Sequence, residues 1–146
     1  MLKASAVLYD VIHEGFSLDS ALAHELATES DPATRGAIQD LSYFGMRWWG
    51  RGSTLAELVS GRTSFKPEGL GVLLSLALAL LFDEGNPKYP AFTVVNETVK
   101  AAAGHPAFVR GKAMLNACLR NFLRERSALL AQLHATPHAT YSYPQW

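Results

Sequence analysis

The sequence predicts an all-α fold, a bundle of six or seven helices followed by an extended C-terminal tail. Apolar residues recur at spacings of three and four along most of the 146 residues, and this is the period of one helix face. Helix start signals precede several of these segments. No stretch alternates apolar and polar residues in the manner of a half-buried strand. A helical bundle is the fold class that accommodates all three observations.

Local signals define the first three helices. An apolar stripe predicts a helix over residues 3–14, and Gly15 follows it in the position of a C-terminal cap. Ser17 is a candidate N-cap of the second helix. Asp31 and Pro32 start the third, because aspartate caps a helix and proline is tolerated at its first position.

The third helix is expected to bury one stripe and to end at a pair of glycines. The stripe consists of Ala37, Ile38, Leu41, Phe44 and Trp48. Gly50 and Gly52 are interpreted as the helix end, since glycine weakens a helix by about 1 kcal/mol relative to alanine. A short helix over residues 55–60 follows.

Residues 68–82 are apolar almost all round, which predicts a central, enclosed helix. The apolar run inside it is shorter than the roughly 20 residues that cross a bilayer. The next helix carries a stripe formed by Phe92, Val95, Val99 and Ala102.

A single long helix is predicted over residues 106–133, with two different faces. The apolar face consists of Leu115, Cys118, Leu119, Phe122, Leu129 and Leu133, and Arg110, Arg120 and Arg124 lie opposite. This pattern is typical of a helix that fills the core and exposes a basic outer surface. Residues 134–146 contain two prolines and no stripe, so we expect one domain over residues 1–133 and an extended tail after it.

The net charge is zero, but the charges are unevenly distributed. Residues 1–31 hold six acidic residues against one lysine, and residues 100–146 hold six basic residues against one glutamate. Such polarity indicates either a basic face for polyanions or two chain ends that pack together and neutralise each other. Composition alone does not separate these two interpretations.

Three motifs follow one another along the chain. They read R-x-x-x-x-D-L-x-Y-F-G-M-R over residues 35–47, V-N-E-T-V-K over residues 95–100 and F-V-R-G-K-A-M-L-N-A-C-L-R over residues 108–120. Their order and spacing resemble the NusB-like RNA-binding family over nearly the whole chain. The final run Tyr141–Trp146 resembles the segment Y-x-x-P-x-W that leads into the catalytic part of the RsmB (Sun/Fmu) type rRNA cytosine-C5 methyltransferases. We therefore expect a fragment that ends just before a methyltransferase domain.

The resemblance implies a non-catalytic, cytoplasmic, RNA-binding N-terminal domain of a 16S rRNA cytosine-C5 methyltransferase. The implied partners are ribosomal RNA and the protein's own C-terminal methyltransferase domain, with no membrane and no DNA. No cofactor is expected in this fragment, and S-adenosylmethionine is implied for the absent catalytic domain. Two alternatives stay open. One is a free-standing NusB-like antitermination factor that binds leader RNA and a ribosomal protein, and the other is a purely structural interdomain bracket.

Two sets of residues are candidates for RNA contacts. The first set, on the long helix, is Arg110, Lys112, Arg120 and Arg124, which are suited to phosphates. The second set, on the third helix, is Arg35, Arg47 and Arg51, with Tyr43 on the same polar side to stack on an unpaired base. Where the NusB-like motif usually has asparagine, this chain has Arg110. The alternative is a solvated face whose arginines pair with the acidic N-terminal third.

The sequence predicts no catalytic or metal site. Cys118 lies on an apolar helix face and is interpreted as a structural thiol. A lone cysteine also fits a reducing compartment. His134 and His138 have the spacing of metal ligands on a helix, but Pro137 lies between them. An S-adenosylmethionine site needs a Rossmann-like sheet, and no strands are predicted to build one.

Overall fold

The computed structural model describes residues 1–136, and its regular elements in that range are helices. In chain order the α-helices are α1 (Leu2–His13), α2 (Leu18–Leu26), α3 (Pro32–Arg47), α4 (Trp49–Ser60), α5 (Glu68–Leu81), α6 (Ala91–Ala103), α7 (Lys112–Arg124) and α8 (Arg126–His134). A short 3-10 helix, Val109–Gly111, precedes α7. The all-α class predicted from the sequence is confirmed.

The predicted start signals of α2 and α3 are confirmed in atomic detail. The Ser17 side chain accepts a hydrogen bond from the backbone N–H of Ser20 at 3.1 Å. The Asp31 carboxylate accepts from the backbone N–H of Thr34 at 3.0 Å, and Pro32 is the first residue of α3. Both caps satisfy N–H groups that a helix leaves unpaired at its first turn.

Helix α5 is the centre of the bundle, as its apolar sequence predicts. All its residues from Leu70 to Leu81 are buried, and it packs against α1, α3, α4, α6 and α7. A smaller apolar cluster joins α1, α2 and α3 and consists of Val7, Val11, Ala21, Leu22 and Ile38. The bundle is therefore one main core with a satellite under its N-terminal helices.

The junction between α3 and α4 differs from the prediction. Helix α3 ends at Arg47, and Gly50 and Gly52 lie inside α4 instead of ending α3. A Cβ atom on Gly52 would lie 2.2 Å from the carbonyl oxygen of Ser75, so only glycine allows α4 to approach α5 this closely. Gly52 therefore serves packing between helices, which a local pattern does not reveal.

The predicted long helix over residues 106–133 is two helices. Residues before Lys112 form a turn and the 3-10 helix, and Glu125 interrupts the helix between α7 and α8. Because of the interruption α8 packs beside α4, where Leu129 and Leu133 are buried. This division explains why residues 1–136 contain eight α-helices where the pattern predicts six or seven.

Two smaller differences concern α6 and the tail. Phe92, predicted on the buried stripe of α6, is 70% exposed, whereas the buried residues are Val94, Val95, Thr98 and Ala102. Phe92 is the second residue of the helix, and the buried stripe starts two positions later. Helix α8 includes His134, where the extended tail was expected to begin. The predicted tail from residue 137 to 146 lies outside the described residues.

The buried polar side chains are all occupied by local hydrogen bonds. Ser42, Thr54, Ser75 and Thr98 each donate to the carbonyl four residues earlier, at 2.7–2.8 Å. In residues 1–136 no buried side-chain nitrogen or oxygen lacks a partner. The core therefore holds no unpartnered polar group that could point to a buried reaction centre.

Candidate nucleic-acid interface

Helix α7 is strongly two-sided. Leu115, Leu119 and Phe122 are fully buried against the core. Arg120 and Arg124 are exposed on the other side, and Lys112 is exposed at the first turn. Arg110 lies just before them in the 3-10 helix and is also exposed. Four exposed cations therefore lie within residues 110–124. They are called the α7 basic face and are Arg110, Lys112, Arg120 and Arg124.

No carboxylate of residues 1–136 lies within 4 Å of a cation of the α7 basic face. Within residues 1–136 the ion pairs closer than 4 Å are Lys3–Glu29, Lys88–Asp40 and Arg126–Glu84, and the His13 ring lies 3.1 Å from the Glu68 carboxylate. None of them involves a member of the α7 basic face. The acidic N-terminal residues do not pair with the basic C-terminal ones, so the interpretation in which the two chain ends neutralise each other is wrong for the described residues.

Two members of the α7 basic face are held by neutral neighbours. The Nε of Arg120 donates to the carbonyl oxygen of the Asn116 side chain at 3.1 Å. One terminal nitrogen of Arg124 donates to the side-chain carbonyl oxygen of Asn121 at 3.3 Å. Asparagine fixes a guanidinium without cancelling its charge, so both arginines keep a full positive charge at the surface.

Arg35, from the second predicted set, is engaged by backbone groups. Its guanidinium donates to the carbonyl oxygen of Leu26 and, at 2.7 Å, to that of Glu29. These carbonyls belong to the last turn of α2 and the loop that follows, and a cation at a helix C-terminus is favourable. Arg35 therefore ties α2 to α3, a structural role that the sequence did not indicate.

Arg51 and Arg47 lie beside aromatic rings. The guanidinium carbon of Arg51 is 4.4 Å from the ring centre of Trp48 and 4.6 Å from that of Phe82. The guanidinium carbon of Arg47 is 5.4 Å from the Trp48 ring centre. All three distances are within the range of cation–π attraction. Arg51 is half-buried beside both rings, whose centres are 5.7 Å apart, whereas Arg47 stays exposed.

Tyr43 is 45% exposed on α3, one turn before Arg47. Helix α3 packs against α1, α2, α4 and α5, whereas α7 packs against α4, α5, α6 and α8. The structure thus gives the two predicted sets different surroundings. The RNA contacts assigned to Tyr43 and Arg47 stay predictions.

Arg126 has a structural role that the sequence did not indicate. It donates to the carbonyl oxygens of Leu81 at 2.6 Å and Phe82 at 3.2 Å, and it lies 3.8 Å from the Glu84 carboxylate. Its guanidinium carbon is 4.9 Å from the Phe122 ring centre. The available signal was its position four residues after Phe122, on the apolar side of the helix, where a cation needs a buried partner.

The described residues offer no activated nucleophile and no metal cluster. Cys118 is buried, and burial raises the pKa of its thiol above the ordinary value. Its sulfur lies 3.7 Å from the sulfur of Met114, so it is placed as a packing group. Residues 1–136 contain no group of three or more His, Cys, Asp and Glu side chains that could hold a metal. His138 lies outside the described residues.

Two grooves on the surface contain none of the predicted cations, and a third contains Arg124 together with Glu84 and Glu125. One groove of about 370 Å³ lies between α4 and α5 and includes Glu57 and Glu68. Another of about 400 Å³ lies between α1 and the start of α5 and includes Asp10, Glu25 and Glu68. Carboxylates repel phosphates, so these grooves are poor candidates for a polyanion.

Among the helices described, none is long and apolar enough to cross a membrane.

Comparison with known proteins identifies relatives along the whole chain. No family model matches the sequence. The chain is 32% identical over 145 residues to a Vibrio vulnificus protein named ribosomal RNA small subunit methyltransferase B, covering 98% of this chain and 33% of that protein. Proteins of the same name from Pseudomonas syringae pv. tomato and Vibrio cholerae are 32% and 27% identical over 146 and 143 residues, which are 99% and 98% of this chain and 32% of each relative.

The chain thus spans about a third of the length of the curated relatives it matches. The resemblance to the RsmB-type proteins, inferred from the three motifs and from the final run Tyr141–Trp146, is confirmed by these similarities. The relatives named here are methyltransferases and not antitermination factors.

Proposed function

We propose that this chain is the non-catalytic RNA-binding domain of an rRNA cytosine-C5 methyltransferase. Its task is to hold small-subunit ribosomal RNA so that the target cytosine reaches an S-adenosylmethionine-dependent catalytic domain outside this chain. The name shared by the relatives supports the reaction and the substrate, and the match to about a third of their length supports a division of labour between domains.

One observation supports the α7 basic face as the RNA-binding surface. The four cations of the α7 basic face are exposed, and none has a carboxylate within 4 Å among residues 1–136. Phosphates that meet unpaired cations release condensed counterions, and this release supplies sequence-independent affinity for nucleic acid. A structural bracket between domains would instead be expected to use these arginines in internal pairs.

The other residues support a binding role over a catalytic one. The thiol of Cys118 is buried with a raised pKa, so it is not held as a thiolate nucleophile. The regular elements of residues 1–136 are helices, and a Rossmann-like sheet for S-adenosylmethionine would have to be supplied by another domain.

Direct titration of small-subunit rRNA fragments tests the proposal. We expect the chain to bind at low salt and to lose affinity steeply between about 50 and 200 mM salt. The double variant R120A/R124A is expected to bind roughly tenfold more weakly at low salt, since two phosphate contacts are removed. Absence of wild-type binding at low salt, or equal binding by the variant, would contradict the proposal.

A further inference from the structure

The exposed surface of α7 lacks an aromatic platform. Its outward residues between the cations are small, with Ala113 and Ala117 both exposed. The large apolar side chains exposed in residues 1–136 are Phe16, Tyr43, Phe92 and Val109, and none of these is on α7. Proteins that read single-stranded RNA stack its unpaired bases on aromatic rings, and α7 has no ring for that purpose.

The same surface suits a double-helical backbone. Duplex RNA is recognised through its phosphates and 2′-hydroxyls, with the base faces hidden in the stack. Small alanine side chains allow a sugar–phosphate chain to approach the helix closely. Arg120 and Arg124 lie one turn apart, about 6 Å along the axis, and Lys112 lies about 18 Å from Arg124 at 1.5 Å per residue. Arg120 and Arg124 therefore form a rigid pair on one side of the helix, and Lys112 lies about 120° around the axis from Arg124.

Asn116 and Asn121 orient the guanidinium groups of Arg120 and Arg124. Each side-chain carbonyl oxygen accepts a hydrogen bond from one arginine, Asn116 from Arg120 and Asn121 from Arg124. Each guanidinium keeps other N–H groups for a phosphate, and each asparagine keeps its NH₂ group for a hydroxyl oxygen. An aspartate in either position would also accept the hydrogen bond, but its charge would oppose the phosphate.

We infer that the α7 surface binds the sugar–phosphate backbone of base-paired RNA, with Asn116 and Asn121 as positioning residues for Arg120 and Arg124. This inference rests on the proposed function and deepens it, because it names the form of RNA that the site takes. Sequence recognition is left to other parts of the protein.

The first experiment compares two RNAs by fluorescence anisotropy on the 146-residue chain. One is a duplex of arbitrary sequence of about 16 base pairs, the span of a typical duplex-binding domain, and the other is a uridine single strand of equal length. We expect the duplex to bind about tenfold more tightly at the same salt concentration. Equal binding, or preference for the single strand, overturns the inference while the proposed function stands. Binding of neither RNA overturns both.

The second experiment tests the two asparagines. N116D and N121D are each expected to weaken duplex binding roughly fivefold and to lower the salt slope by about one. The matched control is N96D, which adds the same charge at an exposed position of α6 and is expected to change affinity less than about twofold. Affinities of N116D and N121D equal to that of N96D would overturn the assignment.

Removal of the asparagine side chains separates orientation from charge. N116A and N121A leave the net charge unchanged, and we expect each to weaken duplex binding about twofold to threefold because the guanidinium loses its fixed position. N96A is expected to bind as the wild type does. Circular dichroism melting of each variant checks that the fold is intact. Wild-type affinity in both N116A and N121A would show that the asparagines do not position Arg120 and Arg124 for the RNA.

Discussion

The arginines near α3 and those on α7 look alike in the sequence but have different environments in the structure. Arg35 donates to backbone carbonyls at the end of α2 and in the loop after it, and Arg51 lies against the rings of Trp48 and Phe82. Within residues 1–136, the side-chain hydrogen bonds of Arg120 and Arg124 go to neutral asparagine side chains of their own helix. A position on the polar side of a helix therefore does not by itself make an arginine available for a ligand. Availability depends on which carbonyls and rings the tertiary structure places beside it.

Arg126 extends this comparison to two neighbouring arginines at the junction of α7 and α8. Arg124 is exposed, whereas the Arg126 side chain is 15% exposed and donates to Leu81 and Phe82. We expect R126A to lower the free energy of unfolding by about 2–3 kcal/mol, because two carbonyls lose a charged donor and a cation–π contact disappears. Urea denaturation measures the loss.

R124A is the matched control for that measurement, since it removes the same side chain two residues earlier. It is expected to change the free energy of unfolding by less than about 0.5 kcal/mol, as surface substitutions usually do. Equal losses of unfolding free energy in R124A and R126A would contradict a structural role for Arg126 that Arg124 lacks.

Arg51 gives a smaller effect of the same kind. We expect R51A to lower the free energy of unfolding by about 1 kcal/mol, because its guanidinium and its methylene groups both cover aromatic rings. R47A, whose guanidinium lies farther from Trp48, is expected to cost less than half as much. A larger loss in R47A than in R51A, measured by the same denaturation, would contradict the assigned roles.

The smallest expected effect concerns pH at the junction of α2 and α3, where Arg35 also lies. Hydrogen bonds from the Thr34 side chain and backbone lower the pKa of Asp31 below its ordinary value of 3.8. A lowered folded-state pKa means that the stability contributed by Asp31 is present above pH 3.8 and is lost as the pH falls through the folded pKa.

The variant D31N isolates the pH-dependent stability contributed by Asp31, because asparagine caps a helix but does not titrate. We expect the stability advantage of the wild type over D31N to shrink between about pH 6 and pH 2, as followed by thermal melting. A constant difference over that range would show that the Asp31 carboxylate contributes nothing that depends on pH.

The sequence predicted the parts of the fold that local chemistry determines. The caps at Ser17 and Asp31 and the enclosed helix α5 are found where they were expected, because side-chain hydrogen bonds and uniform apolarity act within a few residues. The helix breaks at Trp48 and Glu125 were missed, since neither position carries a glycine or proline signal. Gly52 was misinterpreted because its role is contact with Ser75 in another helix.

The candidate site was predictable to the same extent. The two-sided pattern of α7 identified its exposed cations, because helical periodicity is local. The structural roles of Arg35 and Arg126 depend on carbonyls that are contributed by other helices, and Arg126 reaches across 45 residues to Leu81. No periodic pattern contains that information.

The salt dependence of RNA binding by two double variants tests whether the α7 basic face binds RNA. R120A/R124A and R47A/R51A each remove two positive charges, and both are compared with the wild-type chain on the same rRNA fragment. We expect the slope of log affinity against log salt to fall by about 1.5–2 in R120A/R124A and by less than half of that in R47A/R51A. Equal changes, or a larger change in R47A/R51A, would contradict the assignment of RNA binding to the α7 basic face.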